Sequence, residues 1–137
     1  MTDFALESEG ASILTASSYD DKHPPEQMLD GDEKTFWMST GLYPQQFIIA
    51  FRAPVAISRI QTTTTNVCGM VIEKAATPDF TGPAQVIFEG ELADRQGALQ
   101  TESQQIPSGG PDARSIRVTI HSGHGDFCSV HKVSVFA

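Results

Sequence analysis

Oxygen-bearing side chains crowd the stretch QMLDGDEKTFW between Gln27 and Trp37, where Asp30, Asp32, Glu33 and Thr35 share a tight turn opened by Gly31. A short, bent loop rich in oxygen is what a hard cation such as calcium requires. A carboxylate from Asp30, a hydroxyl or carbonyl from Thr35, and main-chain carbonyls near Gln27 and Asp32 supply most of the roughly six to eight oxygens calcium takes. The rest come from another segment or from water. Counting from Asp30 rules out an EF-hand, because the sixth position is Thr35 rather than glycine and the twelfth is Gly41 rather than glutamate. The same residues also read as an acidic turn leading into a strand, and spacing alone leans towards that simpler description.

Other clusters carry less. His121, His124, Cys128 and His131 have the residue types of a zinc site, but strand parity sends His121 and Cys128 in different directions, so each reads as a surface or core residue. Asp126, His124, Ser122 and Ser129 lack a nucleophile elbow and an oxyanion pattern, so no catalysis is expected of them. The glycines at Gly109-Gly110 and from Gly123 to Gly125 have no strand-to-helix context for holding phosphate and read as turns.

The elements that must position the acidic turn are strands. In SIRVTIH, Ile116, Val118 and Ile120 share one face and Ser115, Arg117, Thr119 and His121 the other. QQFIIAF places Phe47, Ile49 and Phe51 on one side and Ile48 and Ala50 on the other, as in a strand covered on both faces. Similar runs are ASILTAS, VAISRIQTTTT, CGMVIEKA, AQVIFEG, ESQQIP and VHKVSVF. Turn residues separate them at Arg52-Ala53-Pro54, Asn66, Thr77-Pro78-Asp79, Thr81-Gly82-Pro83, Ser108 to Asp112 and Gly123 to Asp126. About eight strands at this spacing predict an all-β antiparallel sandwich of jelly-roll type. Only Pro24 to Leu29 reads as helical, a short turn that Gly31 stops and that must pack on the sheet edge.

The 137 residues suit a single sandwich domain over residues 1–137, and 39% hydrophobic residues suffice for a core without disulfide staples. Nine Lys and Arg against 17 Asp and Glu give a net charge of −8, which repels nucleic acid. No apolar run reaches the roughly 18 residues of a membrane helix, and MTDFALESEG lacks the features of a signal peptide, so a cytosolic protein is expected. Cys68 and Cys128 fall in apparent strand segments and read as small buried hydrophobes rather than a disulfide. Trp37, behind the acidic turn, reads as a core ring with a polar edge. The turn from Met38 to Pro44 carries Thr40, Leu42 and Tyr43, and Phe127 sits in a loop expected at the same end of the sandwich. These four residues are the expected partner-facing patch.

The segment from Ile13 to Ile60 resembles the front half of a discoidin domain, the coagulation factor 5/8 C-terminal type. There a serine, DG, T and FW precede a polar-aromatic turn and an apolar strand. In this chain those positions are Ser17 or Ser18, Asp30-Gly31, Thr35 and Phe36-Trp37. More narrowly, HPPEQMLDGDEKTFWMSTGLYPQQFIIAF with the closing SVHKVSV resembles the intraflagellar transport protein 25 family, also labelled small heat-shock protein beta-11. That resemblance implies a galactose-binding-domain-like jelly roll with a bound calcium ion, whose ligands fall on Gln27, Asp30 and Thr35 with Asp32 as a fourth. It implies a non-catalytic subunit of the intraflagellar transport B complex, paired as a heterodimer with a Rab-like small GTPase, intraflagellar transport protein 27. The implied location is the cilium or flagellum and the cytoplasm around the basal body. The rival is a glycan- or lipid-binding discoidin-like module, which shares the sandwich and the ion loop. Secreted discoidin domains of that kind tie their ends with a disulfide and display apolar loop tips, whereas the corresponding loop here reads Ser18-Tyr19-Asp20-Asp21-Lys22. The heat-shock label has no disordered arm or apolar tail behind it in this chain.

Overall fold

Wherever apolar and polar residues alternate the chain is extended, and the computed structural model, which describes residues 2–107 and 109–137, forms nine strands among them. β1 (Ser12–Ala16), β3 (Gln45–Val55), β8 (Ala113–Ile120), β5 (Gly69–Ala75) and β6 (Ala84–Glu91) lie side by side in that order as one sheet. β2 (Trp37–Met38), β9 (Ser129–Phe136), β4 (Arg59–Thr65) and β7 (Gln100–Gln105) form the other. All neighbours are antiparallel, as expected for a jelly-roll sandwich.

The inward residues follow the period-two reading. Phe47, Ile49 and Phe51 of β3 and Ile116, Val118 and Ile120 of β8 are buried, and with Ile60, Ile72 and Val130 they belong to one apolar cluster between the sheets. On the outer face, Arg117 of β8 pairs with Glu73 of β5 at 2.8 Å and lies against the Phe80 ring at 4.8 Å. The helical segment is a 3-10 turn over Pro25–Leu29 that buries Met28 and Leu29 against β9, β1 and β2. Burial of those two side chains holds a turn too short to persist alone.

Three sequence readings are corrected. Arg52-Ala53-Pro54 is not a turn, since β3 runs on to Val55. Its register against β8 slips between Ala50 and Val55, so Pro54 sits at an irregularity where its missing N–H breaks no ladder bond. Cys68 and Cys128 flank strands rather than lie within them; Cys128 is buried, Cys68 half-buried, and both are free thiols. The two-residue β2, too short to show any alternation, is an addition, as is a 3-10 turn at Glu7–Glu9. In the expected turn from Ser108 to Asp112, Ser108 lies outside the described residues.

Candidate functional site

The acidic turn begins where the buried 3-10 turn ends. Asp30 closes that turn, and Gly31 follows with φ +79°, a left-handed conformation that glycine adopts without strain. Asp30 Oδ1 then accepts the main-chain N–H of Asp32 at 2.9 Å, and Asp32 Oδ1 accepts that of Lys34 at 2.9 Å. These two Asx turns bend the chain so that Thr35 returns over the residues before it. The Thr35 hydroxyl oxygen lies 2.6 Å from Asp30 Oδ2, 3.0 Å from the Asp32 carbonyl oxygen and 3.4 Å from the Gln27 carbonyl oxygen. One hydroxyl proton cannot serve three acceptors at once, so this cluster is richer in lone pairs than in donors.

Gln27, Asp30, Asp32 and Thr35, the residues expected to ligate a metal, are thus together, but not all through their side chains. Asp32 and Gln27 face the cluster with main-chain carbonyls, while Gln27 Oε1 accepts the Phe36 N–H at 3.3 Å. The donor set is all oxygen with Asp30 as its one carboxylate, a chemistry that fits calcium better than zinc. Among the described residues no group of three or more His, Cys, Asp or Glu is placed to hold a metal. His124 Nε2 is occupied by the Leu92 carbonyl at 2.9 Å, and His131 Nδ1 donates to the Glu33 carbonyl at 2.8 Å. His131 also stacks on Phe36, which stacks on His23, so β9 backs the outer side of the loop.

From Thr35 the chain enters the core at Trp37 and emerges at Thr40. Trp37 is fully buried, meets Phe47 edge to face at 5.4 Å, and donates its indole N–H to the Ser18 carbonyl at 2.7 Å. Ser39 exchanges main-chain and hydroxyl bonds with Cys128, and the Thr40 N–H reaches the Ser18 hydroxyl at 3.1 Å. Buried Gln45 accepts both the Ser17 and Ser18 hydroxyls and donates to the Leu42 carbonyl at 2.7 Å. The turn that carries Leu42 is therefore held at its base while the Leu42 side chain stays 90% exposed.

Opposite stands the 121–127 loop. Tyr43 donates its hydroxyl to the Gly125 carbonyl at 3.1 Å and packs on Gly123, where any Cβ would strike the ring hydroxyl and the Asn66 carbonyl. Between the two segments lies an open groove of about 710 Å³. Thr40, Leu42 and Tyr43 line one side, and His121, Asp126 and Phe127 are among the residues of the other. Phe127 is 53% exposed. The four residues chosen as a partner-facing patch thus share one groove. Sequence reading missed Gln45, whose role depends on loops 27 residues away, and weighed Asp126 only for catalysis, its place in the groove showing once Phe127 is located.

Partial burial, then the neighbouring Cys128 and Asp126, push the Tyr43 hydroxyl well above the ordinary tyrosine range. A raised value in the fold means the neutral phenol is favoured there, so its contribution is complete below the unfolded value of about 10 and fades as pH rises beyond it. Urea unfolding from pH 8 to pH 11 is expected to show wild type losing stability above about pH 10 more steeply than Tyr43→Phe. Parallel profiles would show that Tyr43 does not titrate with the fold.

No protein-family model matches the chain. Intraflagellar transport protein 25 of Chlamydomonas reinhardtii is 38% identical over 98% of this chain and 69% of its own length. The human intraflagellar transport protein 25 homolog is 39% identical over 96% of this chain and 90% of its own. Among solved structures, the family 32 CBM of C. perfringens NanJ in complex with galactose aligns with TM-score 0.80 at 20% identity, covering 97% of each chain. Chitosan-binding module 1 of a Paenibacillus chitosanase/glucanase aligns with TM-score 0.82 at 17% identity over the whole of both chains. At such identities these structures share the sandwich alone. Identity near two in five residues along almost the entire length is a closer tie, and by it the chain belongs to the intraflagellar transport protein 25 family.

Proposed function

We propose that this chain is a non-catalytic, calcium-binding subunit of the intraflagellar transport B complex. It pairs with a Rab-like small GTPase, intraflagellar transport protein 27, and supports trafficking in the cilium or flagellum from the cytoplasm around the basal body. Membership of the family supports the transport role. The observation that carries the docking role is the groove, where apolar Leu42 and Phe127 stand exposed on a base braced by Gln45, Ser18 and Tyr43.

Bracing matters because a surface already ordered loses less entropy on docking. The Asp30 loop feeds the same base through Phe36, Trp37 and Ser39. A calcium ion on Gln27, Asp30, Asp32 and Thr35 supplies the positive charge that their crowded oxygens lack. The protein's own part is to hold those oxygens in place and to transmit the loop's position along five residues to Thr40.

Co-expression with the Rab-like GTPase of the same genome tests this reading. A stoichiometric complex that survives gel filtration is expected, and Leu42→Asp should weaken it at least tenfold, as truncation of a central contact does. No complex, together with retention on galactose or liposome supports, would instead favour the glycan- or lipid-binding module.

A further inference from the structure

The groove has a chemical bias that its apolar rim does not reveal. Two of its hydroxyls are already engaged, since Tyr43 donates to the Gly125 carbonyl and the Ser122 hydroxyl accepts the Gly69 N–H at 3.1 Å. The exposed Asp126 carboxylate makes no ion pair among the described residues, and no Lys or Arg is among the lining side chains. The chain as a whole carries a net charge of −8, so the field around Asp126 has the same sign as its own charge. Next to it is the half-exposed Phe127 ring, and across the groove the aliphatic Leu42.

An arginine side chain matches all three features. Its aliphatic stem covers Leu42, its planar guanidinium stacks on an aromatic face, and its N–H fork pairs with a carboxylate. Lysine has the stem and the charge but neither the plane nor the fork. A sugar needs several free donors and acceptors around a ring; Thr40, His121 and Asp126 offer unengaged side-chain polar atoms among the lining residues described, so a sugar is the competing occupant that the test below separates.

We infer that the groove between Leu42 and Phe127 seats an arginine from a protein partner, with its guanidinium on Phe127 and Asp126. This rests on the docking role given above. The probe is the purified Rab-like GTPase, titrated by calorimetry into wild-type chain, Asp126→Asn, Asp126→Glu and Phe127→Leu at low and high salt. Asp126→Asn should weaken binding about tenfold or more and flatten its salt dependence, because a paired charge is left alone on the partner. Asp126→Glu should recover most of that loss, and Phe127→Leu, which keeps apolar bulk but no ring, should weaken binding several-fold. Both sites are exposed, so unchanged melting temperatures will show that the three variants fold. Wild-type binding unaffected by Asp126→Asn overturns the arginine contact and leaves the docking role standing. Absence of any wild-type binding overturns both. Retention on galactose-agarose that Asp126→Asn abolishes overturns the inference in favour of a sugar site.

Discussion

Replacing Trp37 by alanine is expected to lower stability by about 3–5 kcal/mol, the range for removing a large aromatic ring from a packed core. The ring is wholly buried, packs edge to face on Phe47 and satisfies the Ser18 carbonyl through its indole N–H. Alanine leaves a cavity between the sheets and an unpaired carbonyl beside it, and the two costs add. For a chain of this length roughly 3–4 °C accompanies each kcal/mol, so the melting temperature should fall by about 10–20 °C. Trp37→Phe keeps most of the apolar contact and should lose only about 1–2 kcal/mol, chiefly the hydrogen bond. The effect has a functional side, because Ser18 also anchors the Thr40 N–H at the base of the groove. An alanine variant that melts within a few degrees of wild type would mean the ring is not the keystone between loop and groove.

The strands were legible because a face left wet writes alternation into SIRVTIH, while a strand covered on both faces leaves the short apolar run of QQFIIAF. The same signal is silent over two residues, so β2 could not be read, and it misreads Arg52-Ala53-Pro54 because proline marks turns and bulges alike. In the acidic turn, the nearness of Asp30 and Thr35 follows from short Asx turns that the residue types announce. Which oxygen each residue offers does not, since Gln27 and Asp32 turn carbonyls inward and any side chain could stand on such a carbonyl. The groove is a tertiary product. Leu42 and Phe127 meet across it only because β3 and β8 pair in a register that brings Gln45 opposite Ile120. Gln45 itself, a glutamine at the start of an apolar strand, gives no hint in sequence that it ties three serine and leucine groups together.

The second large effect concerns calcium. Asp30 Oδ2, the Asp32 and Gln27 carbonyls and the Thr35 hydroxyl crowd one another with a single proton among them. A cation that binds this set only in the folded chain stabilises it by about 2.7 kcal/mol at a hundredfold excess over its dissociation constant. That corresponds to a rise of roughly 10 °C in melting temperature. Asp30→Ala removes the one carboxylate of the set and the hydrogen bond that shapes the turn, yet Asp30 is exposed and the core beneath is untouched. The variant should therefore fold, melt near the calcium-free wild type, and ignore added calcium. Magnesium, which demands a smaller and more regular shell, should substitute poorly.

The most direct measurement is thermal unfolding of wild type and Asp30→Ala, each with saturating calcium and with chelator. A calcium-dependent rise of about 10 °C in wild type that vanishes in Asp30→Ala is predicted. Identical melting of wild type in calcium and in chelator would contradict the cation loop, and with it the idea that an ion steadies the groove.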